Sequence, residues 1–198
     1  ATALAQPRLP RYLTPNTAEQ RMTPSDLSTL TQRLIAAARK AGADASDAMA
    51  VQGTSVSVDV RAGALEHAER SEGIELGLRV FVGQKQANVS SSDTSDRTVE
   101  EMATRAVAMA REAPDDPHAG LADPDQLITD WDIDALELND PTPEPSAEAL
   151  QDDALAAEEA AQGVKGVSQV QQSTGAYGNR QVWLATSTGF SGGYTRTD

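Results

Sequence analysis

Thr54-Ser55-Val56-Ser57-Val58-Asp59-Val60-Arg61-Ala62-Gly63-Ala64-Leu65-Glu66 is the stretch that decides the fold. Val56, Val58 and Val60 alternate with Ser55, Ser57 and Asp59, a two-residue period that places the valines on one face of a strand. Arg61-Ala62-Gly63 turns the chain, and Leu65 to Arg70 reads as a second, more polar strand. After Glu72-Gly73 a third begins, with Ile74, Leu76, Leu78, Val80 and Val82 alternating with Glu75, Gly77, Arg79 and Phe81. Gly83-Gln84 supplies a hairpin turn into a fourth strand, Lys85 to Ser91, with Ala87 and Val89 inward. Turns this short between successive strands require antiparallel pairing.

Helices flank this block. Thr23 can cap a helix, Pro24 suits its first turn, and Asp26 complements the positive end of its dipole. Leu27, Leu30, Leu34, Ile35 and Ala38 then share one face, and Gly42 ends the run. A second helix follows the polar loop 90–96, with Val99, Met102, Ala103, Ala106, Met109 and Ala110 on one face and Pro114 as its stop. Further on, Ser146 can cap an Ala-rich helix that runs to Gln162. Three strand candidates follow it: Val167–Gln172, Arg180–Ser187 and Phe190–Thr195. Helices beside antiparallel strands give an α+β class, with antiparallel sheets and helices packed on one side.

The charge is uneven. The 198 residues carry 16 Lys plus Arg and 30 Asp plus Glu, a formal net of −14. From Glu112 to Glu159 there are 16 acidic residues and no Lys or Arg, leaving 14 acidic against 16 basic elsewhere. A negative chain without a basic cluster argues against binding a phosphate backbone. The acidic stretch holds six prolines, from Pro114 to Pro145. Residues 113–145 therefore read as a long surface crossing, tacked down by Leu121, Leu127, Ile128, Trp131 and Ile133. The expected organisation is an arm over 1–22, disordered or extended. It is followed by a helix, four-stranded antiparallel sheet and helix over 23–112, then the crossing 113–145. A helix with three strands over 146–198 completes it, expected to continue into a C-terminal half. No apolar run approaches the roughly 20 residues of a membrane helix, and the sequence has no cysteine for disulfides, thiolate ligands or a thiol nucleophile.

Local motifs fail on context. Gly189-Phe190-Ser191-Gly192-Gly193 has the spacing of a hydrolase nucleophile elbow, but that motif needs a following helix and a downstream histidine. His67 and His118 both lie upstream, so Ser191 is expected in a Gly-rich strand where another backbone approaches closely. Asp130, Asp132 and Asp134 open like a calcium loop, but its glycine and glutamate positions hold Ala135 and Pro141. Neither histidine has a partner at metal spacing, and each is expected at the surface. Asn88-Val89-Ser90 is a chance sequon. No catalytic, cofactor-binding or metal-ligating residue is assigned.

Several segments, in order, resemble one family. Residues 54–66 resemble its first hairpin; Gly73 to Phe81 and Ala87 to Asp93 resemble its second. Asp116-Pro117-His118-Ala119-Gly120-Leu121-Ala122-Asp123 resembles its Asp-Pro-x-Ala-Gly-x-Ala-Asp element. Ser173-Thr174-Gly175-Ala176, Ala185 to Phe190 and Gly193-Tyr194 resemble the strands that follow. The family is TldD/PmbA, also named "modulator of DNA gyrase", and the later elements are most similar to its PmbA (TldE) branch. The resemblance implies a chain about twice this length and a heterodimeric, cytoplasmic metallopeptidase that cuts unfolded peptides. The metal-binding His-Glu-x-x-x-His belongs to the TldD subunit and is absent from this sequence. Zinc is therefore expected in a TldD-type partner and no cofactor in this chain.

Three functions compete on this reading. The favoured one is a non-metal partner subunit that helps shape a substrate chamber and offers strand edges to unfolded peptide. The others are a non-catalytic peptide- or protein-binding module, and an acidic modulator of DNA gyrase that mimics nucleic acid. The uncharged run Gln181 to Ser187 is expected to lie at an unprotected sheet edge and to drive self-association.

Overall fold

A computed structural model describes residues 22–198. The arm expected over 1–22 lies outside these residues except for Met22, whose N–H donates to Gln52 Oε1 at 2.9 Å. Helix α1 spans Pro24–Ala41, followed by β1 (Ala45–Arg61), β2 (Ala64–Val82), β3 (Lys85–Ser91) and α2 (Asp96–Glu112). After a crossing with two single 3₁₀ turns come α3 (Ala147–Gln162), β4 (Ser173–Thr186) and β5 (Ser191–Thr197). The five strands form one antiparallel sheet in the order β3-β2-β1-β4-β5.

The helix boundaries follow from local chemistry. Thr23 and Asp26 form a reciprocal capping box at the start of α1, and Gly42 ends it in the left-handed conformation. Ser95 caps α2 and Ser146 caps α3 through their hydroxyls. The apolar stripes of α1 and α2 pack on Ala48 and Ala50 of β1, Leu76, Leu78 and Val80 of β2, Val89 of β3 and Ala185 of β4. Each large aliphatic side chain buried there contributes about 1.5–3 kcal/mol. A smaller cluster joins Leu150 of α3 to Val56 and Val58. Residues 48, 50, 56 and 58 have the same parity with no register shift before Asp59, so all three helices cover one face of the sheet.

The strand count differs from the sequence expectation. Residues 23–112 contain three strands, not four, because Glu72-Gly73 does not break the chain. Gly73 pairs directly with Gly53, and β2 continues through it for 19 residues. Residues 146–198 contain two strands rather than three. Val167–Gln172 is irregular, and β4 instead begins at Ser173 and runs through Gly175 and Gly178. Gly175 sits under α3, where a Cβ would stand 2.1 Å from the carbonyl oxygen of Leu150. Glycine here admits close helix-to-strand packing rather than a turn. The expected sheets are a single sheet, because β1 pairs with β4 from Asp47↔Thr186 to Val60↔Ser173. That pairing also corrects the edge assignment. Val182 and Leu184 lie on an interior strand, and β5 is the edge.

The crossing is a strap around that edge. Asp116 N–H donates to the Gln84 carbonyl, and Trp131 meets Phe190 edge-on with ring centroids 5.6 Å apart. Thr197 N–H then donates to the Leu138 carbonyl at 3.0 Å, and Asp140 N–H donates to Thr197 Oγ1 at 2.7 Å. Beyond the edge, Glu144 pairs with Arg70, which shares the helix-covered face with Val56. Of the apolar anchors expected from sequence, Trp131 packs on Phe190, Leu121, Leu127 and Ile133 are half-buried, and Ile128 is exposed; the backbone bonds and the Arg70 pair add to their hold.

Candidate functional site: the uncovered face of the sheet

Because the helices share one face, the odd-numbered residues of β1 look outward on the other. Met49, Val51, Gly53 and Ser55 stand there beside Ser71, Gly73 and Glu75 of β2, and Arg180, Val182 and Leu184 of β4. Met49, Leu184 and Tyr194 are exposed. The patch is bounded at one end by the Arg79–Asp47 ion pair, with the Arg79 guanidinium 5.1 Å from the Phe81 ring centroid. The side-chain hydrogen bond to Asp47 holds the Arg79 pKa above its ordinary value. On β5, Trp131 of the strap covers Gly192, where a Cβ would stand 2.3 Å from its ring.

At the centre of this face lies a groove of about 490 Å³. Its floor is the cross-strand pair Gly53 and Gly73, and its rim carries Ser55, Ser71, Glu75, Ser91, Ser92 and Arg180. Two facing glycines keep the floor low: nothing lies within 4 Å of a Cβ built at Gly73, and the stem of Arg180 lies beside Gly53. The sequence reading missed this site. It placed Gly73 in a turn and did not extend β1 back to Gly53, so the pairing of the two glycines had no local signal.

The residues weighed from sequence are not brought together. His67 is exposed on β2 with Nε2 3.8 Å from Glu69, and His118 lies at the start of the strap, where its N–H donates to Asp116 Oδ1 at 2.9 Å. Ser191 Oγ accepts from the Trp183 indole N–H at 3.1 Å. The expected close approach in this Gly-rich strand is present, since a Cβ at Gly193 would stand 2.3 Å from the Val182 carbonyl oxygen. Asp132 accepts from Ala135 N–H within a strap turn. Among the described residues no three His, Cys, Asp or Glu side chains form a group that could hold a metal ion. No helix among them is long and apolar enough to cross a membrane.

The family model described as PmbA/TldA metallopeptidase domain 1 matches residues 46–110, and that family's central-domain model matches residues 140–198. A Haemophilus influenzae protein named "Metalloprotease PmbA homolog" is 35% identical over 101 residues, 51% of this chain and 22% of that one. The crystal structure of TldE from Thermococcus kodakarensis superposes with a TM-score of 0.67 at 15% identity, covering 85% of this chain and 37% of that chain. A Bacteroides thetaiotaomicron protein described as a modulator of DNA gyrase gives a TM-score of 0.64 at 18% identity, over 85% and 38%. The chain thus spans less than two fifths of the length of these relatives.

Proposed function

The chain belongs to the PmbA/TldD metallopeptidase family, and from that premise we propose that it is the N-terminal portion of a PmbA/TldE-like subunit acting with a TldD-like partner on unfolded peptides. In this reading the partner supplies the zinc and the hydrolytic chemistry. This chain contributes a wall of the space in which peptide is held, and the assembly works in the cytoplasm. One observation carries the reading: a sheet helix-covered on one face presents on the other an open groove around Gly53 and Gly73 and, further along the same face, exposed Met49, Leu184 and Tyr194. A surface that mixes backbone, hydroxyl groups and scattered apolar side chains suits extended chains of varied sequence.

The test is reconstitution. The family-length protein carrying this sequence is mixed with a zinc-loaded TldD-type subunit and an unfolded casein-like peptide. Co-elution of the two subunits, with cleavage that needs both, is the expected result. Cleavage by the TldD-type subunit at the same rate without this protein, or no association at micromolar concentration, overturns it.

A further inference from the structure

We propose that the groove floored by Gly53 and Gly73 binds a short zwitterionic peptide, with its C-terminal carboxylate on Arg180 and its N-terminal ammonium on Glu75. The inference deepens the peptide-handling reading above and rests on it for the class of ligand.

Arg180 and Glu75 share the groove with opposite charges, and neither has an ion pair or side-chain hydrogen bond among the described residues. Several other charges on this sheet are paired: Arg79 to Asp47, Arg70 to Glu72 and Glu144, Arg61 to Glu66. The unmatched pair flanks β1 diagonally, Arg180 beside Gly53 and Glu75 beside Val51. Strand spacing places their Cα atoms about 12 Å apart. An extended peptide advances about 3.3 Å per residue, so three or four residues span such a gap.

The chemistry favours this ligand over simpler ones. A guanidinium offers a planar fork to a carboxylate, and bidentate pairing makes it stronger and more directional than an ammonium would. An isolated anion would meet Glu75 as a like charge, and an isolated cation would meet Arg180. A zwitterion satisfies both. The peptide's own amides can reach the Ser55 and Ser71 hydroxyls. The groove volume of about 490 Å³ lies within the range of small-molecule sites.

The experiment is NMR titration of the 198-residue chain with tri-alanine, its C-terminal amide and its N-acetyl derivative. Tri-alanine is expected to bind saturably below about 10 mM, shifting amides near Gly53 and Gly73, with each capped peptide at least about tenfold weaker. Arg180→Met is expected to make the acid and the amide bind equally, and Glu75→Gln to do the same for the free and acetylated forms. Gly73→Leu is expected to abolish binding of all three; nothing lies within 4 Å of a Cβ built there, so the fold has room for it. Equal binding of all three peptides, shifts confined to other surfaces, or no saturation by tri-alanine overturns the proposal, and the Arg180 and Glu75 variants decide it even if Gly73→Leu fails to fold. Failure here with intact two-subunit cleavage would reject the groove alone; binding here without subunit association would reject the enzyme reading alone.

Discussion

The carboxylate of Glu158, in the last turns of α3, accepts the backbone N–H of Gly63 at 2.8 Å and that of its neighbour Ala62 at 2.7 Å. It is 2% exposed. A single buried acid thus joins α3 to the exposed turn between β1 and β2, and the two turn amides are the partners that satisfy its carboxylate. Glu158→Ala is expected to cost about 2–4 kcal/mol, since two hydrogen bonds to a carboxylate that tie α3 to the turn are lost together. Glu158→Gln keeps one acceptor oxygen and is expected to cost less, about 1–2 kcal/mol. Urea denaturation of the two variants checks this; a loss under about 0.5 kcal/mol for Glu158→Ala would show that the amides find other partners.

Ala62 and Gly63 both have positive φ, at 52° and 73°. Glycine adopts that conformation freely, whereas alanine is strained in it. Asn-Gly is the preferred pair for such two-residue hairpin turns, and residue 62 is exposed. Ala62→Asn is therefore expected to stabilise by about 0.5–1 kcal/mol. An unchanged or lower thermal midpoint would count against strain at this turn.

Two glycines should respond in opposite directions to the same change. At Gly175 a Cβ would meet the Leu150 backbone, so Gly175→Ala must move α3 and is expected to cost about 2 kcal/mol or more. At Gly163, φ is −67° and the nearest atoms to a Cβ are 3.5 Å away. Gly163→Ala is expected to be neutral or to stabilise by up to about 1 kcal/mol. Similar midpoints for the two variants would mean that α3 is not seated on β4 as described.

The strap should open first where its ion pair is removed. Arg70 is only 7% exposed at its side chain, and its pKa is raised chiefly by the hydrogen bond to Glu144. Glu144→Gln removes the charge that holds the strap across the sheet. Limited proteolysis of the wild type is expected to cut first within residues 113–145, and Glu144→Gln to be cut there about threefold faster or more. First cuts in β2 or β3, or equal rates in the two proteins, would contradict this.

Asp26, Asp93 and Asp140 each accept hydrogen bonds that hold their pKa values below the ordinary 3.8. For Asp26 and Asp140 the larger cause is a backbone N–H, from Thr23 and Thr142; for Asp93 it is the Thr98 hydroxyl. Lowered values mean that the folded state binds these protons less readily than the unfolded state. Their contribution is therefore fully present above the ordinary value and is lost as pH falls through the lowered ones. Stability is expected to decline below pH 3.8 in the wild type, and to decline less steeply in Asp26→Asn. Parallel urea midpoints for the two proteins from pH 5 to pH 2 would remove Asp26 from the account.

The apolar alternations were readable because a period of two survives any context. Val56, Val58 and Val60, then Leu76, Leu78 and Val80, point into the core as their spacing requires. Two helices were readable from Thr23 and Ser146, whose cap bonds are local, and α2 from the apolar stripe through Val99, Met102 and Ala106. What could not be read were features set by distant partners. Gly73 and Gly175 look like turn residues in isolation and are strand residues because Gly53 and α3 lie against them. Val167–Gln172, a strand candidate without a period of two, is irregular, and β1 pairs with residues 173–186 instead. The groove followed the same rule: Glu75 and Arg180 are 105 positions apart, and only the β1 register brings them together.

The pairing of β1 with β4 also sets an order of events during synthesis. Val60 meets Ser173 and Asp47 meets Thr186, so one side of β1 waits for more than a hundred further residues. At about 5–20 residues per second that delay is on the order of ten seconds. Meanwhile α1, β1, β2, β3 and α2 can assemble, leaving a 17-residue strand with an open edge on the nascent chain. What leaves the ribosome during that interval is the strap and then α3, part of the stretch from Glu112 to Glu159 that carries 16 acids. Like charge beside an unpaired strand disfavours contact between neighbouring nascent chains. A chain with those acids neutralised would be expected to reach the same native sheet in dilution and to aggregate more on crowded polysomes.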